Sequence, residues 1–150
     1  LAKTLISFKE IIDDYGVTDI NAAATAAIRQ AKNQSKIIDK MFELTGIKLR
    51  VLSEEEEAYF GFVAVAHSMD TPSAITIDIG GGSTEITLYE NKQLKKTHSF
   101  PFGTVSLKEK FVKGSVINPS ELEKLAEYVK KQLTSLDWIV NKKLPIVAIG

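Results

Sequence analysis

The sequence predicts an α/β fold organised around a mixed sheet. Three observations carry that reading. Apolar residues recur at helical spacing in several separate stretches, and short runs rich in β-branched residues alternate with those stretches. Two of the runs are joined by a tight polar turn, as in a hairpin, while the last run is separated from them by helical sequence.

The elements follow in order. Leu1, Leu5, Phe8, Ile11 and Ile12 form one apolar helical stripe, which Gly16 ends, since glycine accepts the left-handed position after a helix. Residues 17–25 read as a short strand that runs into the small-residue segment 22–27 and then Arg29. Such alanines let backbone approach backbone or ligand, and equally start a helix. A second helix spans 35–45, closed by Gly46, and residues 47–52 alternate as a strand. Ser53 stands three residues before Glu56, the capping-box spacing, so a third helix starts there and reaches about His67.

Residues 74–79 form an apolar strand that ends in Asp78-Ile-Gly-Gly-Gly-Ser-Thr-Glu85. A strand resumes over 85–89, turns at 90–93, and returns antiparallel over 94–100. Pro101-Phe-Gly103 breaks it, and a short helix follows to Phe111. Asn118-Pro119 is a cap followed by a residue suited to the first helical position. The helix after it is expected to run to about Val140, with Leu122, Leu125, Val129, Leu133 and Leu136 on one face, before a final strand at 146–149.

Composition narrows the chemistry. Of 150 residues 44% are hydrophobic and 25% charged, enough apolar content for a core, so disorder is excluded. No stretch of about 18 residues is free of charge, which excludes a membrane-spanning helix. With 19 basic and 19 acidic residues the net charge is zero, which argues against general binding to a nucleic-acid duplex. There is no Cys and only two His, so any metal should be a hard cation held by oxygen. Both ends fall inside predicted elements, and the chain is therefore expected to be a central piece of a longer, cytoplasmic protein.

The glycine cluster carries most of the functional signal. Three successive glycines leave the backbone bare, so consecutive N–H groups of Gly80, Gly81 and Gly82 can converge on a phosphoryl group, with the hydroxyls of Ser83 and Thr84 beside them. Asp78 and Glu85 flank the loop with carboxylates that could hold Mg²⁺, directly or through water. The loop lacks the Lys of a Walker A motif, and it lacks the third glycine and following helix of a dinucleotide fingerprint. A glycine-rich hairpin with no ligand is the plain alternative. The run Glu54–Glu57 suits the first turn of any helix, yet a Glu crowded by carboxylates also suits a water-positioning base. Arg29 reads as a surface residue or as a forked phosphate contact. His67 and His98 have no partner at suggestive spacing.

Taken in order, Ala24-Thr-Ala-Ala-Ile-Arg29 with Ala31-Lys-Asn33, Ser53-Glu-Glu-Glu-Glu-Ala58 with Gly61, Ile77–Glu85, and Phe100-Pro-Phe-Gly103 with Ser106-Leu107 resemble segments of the exopolyphosphatase/guanosine pentaphosphate phosphatase (Ppx/GppA) family. That family belongs to the actin-like, Hsp70-like, sugar-kinase-like superfamily. The resemblance implies RNase H-like lobes, incomplete here, with residues 1–70 ending the first and 71–150 opening the second, and a boundary near 68–73. It implies Mg²⁺-dependent removal of the terminal phosphate of inorganic polyphosphate or pppGpp in a cleft between the lobes, by a protein that is a homodimer at full length. Glu57 falls on the base for the attacking water, Arg29 on a phosphate contact, Asp78 and Glu85 on the Mg²⁺ carboxylates, and residues 80–84 on the phosphate loop. Phosphate or nucleotide binding without turnover, or an ATP-using activity of the same superfamily, are the alternatives.

Overall fold

The structure, a computed structural model, describes residues 1–149. The chain forms two compact units, one covering Leu1–Ser53 and the other beginning at Glu54.

In the first unit, helix α1 (Ala2–Asp14) is followed by strand β1 (Ala22–Ala24), the single turn α2 (Ala26–Arg29), helix α3 (Gln34–Thr45) and strand β2 (Leu49–Val51). Gly16 and Gly46 end α1 and α3 in the left-handed conformation, at φ +62° and +68°. The Val17 amide reaches back to the Ile12 carbonyl and that of Gly46 to Phe42, so glycine sits where the sequence asks for it. β1 and β2 pair in parallel, Ala22 with Leu49 and Ala24 with Val51. The strand expected over 17–25 shrinks to three residues because its partner offers only three, and Ala26 already begins α2.

The second unit carries the main sheet. Helix α4 (Glu54–Ser68) begins directly after Ser53, and strands β3 (Ala74–Ile79), β4 (Thr84–Glu90) and β5 (Gln93–Phe100) then form an antiparallel meander. Asn91 and Lys92, both at positive φ, make the two-residue turn between β4 and β5. Helices α5 (Thr104–Phe111) and α6 (Pro119–Leu133) lead to β6 (Ile146–Ile149), which pairs in parallel with β3. The order β5-β4-β3-β6 makes the sheet mixed, as expected.

Strand alternation divides the residues between two faces. Ile75, Ile86, Leu88 and Phe100 lie on one face and form the larger core with Phe102 and Leu136, covered by Leu107, Tyr128 and Val129 from α5 and α6. Ala74 and Tyr89 lie on the other, under Phe62, Val65 and Ala66 of α4, with Val147 and Ile149 of β6 beside them. The Phe62 and Tyr89 rings sit 5.4 Å apart. This packing makes α4 part of the second compact unit.

The last helix is shorter than its periodicity suggests. Asn118 and Glu121 cap its start reciprocally, each side chain taking the other's amide at 3.0 and 3.1 Å. At its end the Thr134 and Ser135 hydroxyls donate back to the Lys131 and Gln132 carbonyls, which stops the helix at Leu133. A 3₁₀ turn at Asp137–Ile139 follows, and Leu136 enters the core from the link between them. Of the residues expected on one helix face, Leu122 and Leu133 are exposed and Leu136 lies beyond the helix.

Candidate active site

The glycine cluster is the connection between β3 and β4. Ile79 pairs with Thr84, and the Gly80 amide donates to the Ser83 carbonyl at 3.0 Å, closing a tight hairpin. The hairpin alternative is thus the geometry of the loop, and its bare backbone remains. Among the described residues, the amides of Gly81 and Gly82 donate no hydrogen bond.

The carbonyls of Gly80 and Gly81 are engaged. The Gly80 oxygen accepts from the Thr104 amide at 2.9 Å, and the Gly81 oxygen accepts from the amides of Val105 and Ser106 at 2.9 and 3.2 Å. The flanking hydroxyls are engaged too. Thr84 Oγ1 donates to the Phe102 carbonyl at 2.7 Å, and the Ser83 hydroxyl supports the Glu85 carboxylate. The surface that the loop offers an anion therefore narrows from residues 80–84 to backbone amides, those of Gly81 and Gly82 with Ser83 beside them.

Three carboxylates gather on the α4 side of the sheet. Asp78 and Glu85 are direct cross-strand partners and project from the same face. Glu85 is buried, and Ser99, its partner on β5, donates a hydroxyl to Oε1 at 2.9 Å. Glu57 comes from the first turn of α4. One turn later on the same helix face is Gly61, where an added Cβ would lie 3.8 Å from Asp78 Oδ2. This face of α4 therefore lies against β3, and Glu57 is within electrostatic range of both other acids.

The crowding shows in their titration. Burial raises the Asp78 carboxyl above its ordinary pKa of 3.8, and repulsion from Glu57 adds to the rise. Burial likewise raises Glu85 above 4.5; the Ser99 and Ser83 hydroxyls offset part of this, and Glu57 and Asp78 add to it. A cation would relieve that repulsion, and the all-oxygen donor set suits a hard one. Among the described residues no three such side chains converge closely enough to hold a metal by themselves.

The sheet and α4 thus bring together Glu57, Asp78, Glu85 and the glycine loop. Arg29 belongs to the first unit, at the end of α2, where Nη1 donates to the Leu52 carbonyl at 2.9 Å and the guanidinium is partly shielded from solvent. Two contributors carried no chemical signal in the sequence: Ser99, which holds Glu85, and Gly103, whose bare Cα lies against the loop. The hairpin turn counted back without a bulge would have pointed to His98 in place of Ser99, and Gly103 was marked only by its place in the Phe100-Pro-Phe-Gly103 segment.

Comparison with known proteins places this geometry. The family model of the Ppx/GppA phosphatase family matches residues 1–150. The chain belongs to that family. A bifunctional 3-dehydroquinate synthase/phosphatase of Fusobacterium nucleatum is 35% identical, over 99% of this chain and 23% of its own length. A guanosine-5'-triphosphate,3'-diphosphate pyrophosphatase of Vibrio parahaemolyticus is 32% identical, over 89% of this chain and 28% of its own. Among solved structures, a Ppx/GppA family member from Aquifex aeolicus superposes with a TM-score of 0.74 at 30% identity, covering 99% of this chain and 48% of that one. An exopolyphosphatase from Cytophaga hutchinsonii gives 0.85 at 25%, covering 97% and 48%. The Ppx/GppA chain spans about half the length of these solved relatives and roughly a quarter of the two enzymes named before them. The α/β fold with mixed sheets, expected as actin-like, is the fold it shares with them.

Proposed function

We propose that the intact Ppx/GppA protein hydrolyses a terminal phosphoanhydride, in inorganic polyphosphate or in pppGpp, by in-line attack of water. The observation that carries this reading is the juxtaposition of three carboxylates, Glu57, Asp78 and Glu85, with a glycine loop whose Gly81 and Gly82 amides are unspent. Transfer of a phosphoryl group asks the protein mainly for positioning and charge stabilisation. The two amides would grip phosphoryl oxygens, and Glu57 would orient the attacking water and accept its proton. Arg29 keeps the role of a phosphate contact through its forked donors. The lobe division near residues 68–73 belongs to the same reading.

Asp78 is the residue best suited to hold Mg²⁺, with Glu85 held beside it by Ser99 and Ser83. Mg²⁺ takes one or two carboxylates, several waters and phosphate oxygens, which agrees with a site of few protein ligands. Bound there, it would neutralise charge on the transferred group.

The test is Glu57→Gln in the intact protein. Phosphate release from polyphosphate and pppGpp should fall about 10²- to 10⁴-fold, the usual contribution of a positioned base, while substrate binding persists. An unchanged rate would remove Glu57 from the mechanism.

A further inference from the structure

The first turn of α5 makes an unusual set of bonds. The amides at a helix start normally go to a capping side chain, to water or to a ligand. Here the amides of Thr104, Val105 and Ser106 are all spent on the Gly80 and Gly81 carbonyls. Gly103, just ahead of the helix, is pressed against the same two residues: a Cβ there would lie 2.3 Å from the Gly80 oxygen and 2.7 Å from the Gly81 carbonyl carbon. Ser106 Oγ accepts from the Gly103 amide at 2.8 Å and donates to the Gly103 carbonyl at 3.2 Å, which fixes that contact. Val105 adds a side-chain contact, 3.4 Å from where a Gly81 Cβ would stand.

Peptide planarity gives these bonds a consequence on the other side of the loop. In a trans peptide the C=O of one residue and the N–H of the next point in opposite directions. Tying the Gly80 oxygen to α5 therefore turns the Gly81 N–H away from α5, and tying the Gly81 oxygen does the same for the Gly82 N–H. Two successive amides are held on one side, as an anion-binding nest requires. Each of these peptide groups is also polarised by donors at the positive end of α5, which strengthens its own N–H as a donor.

We propose that the first turn of α5, with Gly103 as its hinge contact, is the positioning element of the phosphate loop, and that its backbone amides act on a bound phosphoryl group through the Gly80–Gly81 and Gly81–Gly82 peptides. This rests on the reading of that loop as a phosphate site. Gly103, Thr104 and Ser106 are positioning residues and do not themselves touch the phosphoryl group.

Thr104→Pro breaks the contact between the helix start and the loop in the intact protein. It deletes the amide donor that the Gly80 oxygen accepts at 2.9 Å and sets the proline ring against that oxygen, so the loop must move off the helix start, while the extended Gly103 before it (φ −150°, ψ −166°) admits a following proline. Thr104→Ala, which keeps the amide and loses the 3.3 Å hydroxyl contact to Gly80, is the reference. With inorganic tripolyphosphate and Mg²⁺ as probe, the proline variant should bind at least about tenfold more weakly than the alanine variant, the equivalent of one lost hydrogen bond or more. Its Gly81 amide resonance should also move in the absence of ligand. Equal affinities and unmoved resonances in the two variants would overturn the positioning role, even with an active wild type. A wild type that binds without turnover, with the proline variant weakened, would leave the role intact and remove the hydrolytic reading. A wild type that binds no tripolyphosphate would overturn both.

Discussion

The two faces of the β3-β4-β5 sheet come from the same strands, residue by residue in alternation, yet they do different work. On one face Ile75, Ile86, Leu88 and Phe100 meet α5 and α6 in a closed apolar core. On the other, the apolar contact with α4 is confined to one end, at Ala74 and Tyr89. Toward the loop that face turns polar: Thr87 meets Thr97 at 3.0 Å between hydroxyls, then Glu85 meets Ser99, with Asp78 alongside. The difference teaches how a small sheet carries buried charge. The core face supplies the stability, and the face under α4 holds acids together at a cost in stability that cation binding would offset.

The comparison is tested first at its stable side. Phe100 is almost wholly buried and packs on Phe102 with ring centroids 5.2 Å apart. Phe100→Ala should destabilise the protein by about 3–5 kcal/mol in denaturant titration. A loss below about 1 kcal/mol would show that this face does not anchor the sheet.

The acidic side should respond more weakly and with the opposite sign. Glu85 has a raised folded pKa, so its ionised form is disfavoured in the folded state, and stability falls as pH rises from the ordinary value of 4.5 through the raised one. The same holds for Asp78 above 3.8. Glu85→Gln, which keeps an acceptor for Ser99, should therefore raise the melting temperature at pH 7 and leave it nearly unchanged at pH 3. A variant less stable than wild type at pH 7 would mean that the hydroxyls outweigh burial and repulsion.

Much of this was legible in the sequence, because the signals were local. Gly16 and Gly46, the Asn118-Pro119 start, the Asn91-Lys92 turn and the glycine loop each announce themselves within a few residues. What was not legible depends on register and on distant packing. A bulge between Leu88 and Tyr89 shifts the β4–β5 pairing by one residue. Counting back from the turn without it would set Glu85 opposite His98; with it, Ser99 faces Glu85 and Thr97 faces Thr87. Nothing in the local pattern marks that bulge. The role of Gly103 was hidden for a related reason: it is set by backbone more than twenty positions away, while the sequence shows a broken strand and a family-like segment without a role. The end of α6 was overrun because Leu136 keeps the helical period although Thr134 and Ser135 have already closed the helix.

The most direct measurement is a titration of the intact protein, ¹⁵N-labelled at glycine, with tripolyphosphate and Mg²⁺. The Gly81 and Gly82 amide resonances should move furthest, while those of Gly16, Gly46 and Gly114 stay in place. Saturable binding that leaves Gly81 and Gly82 unmoved would contradict a phosphate grip by this loop.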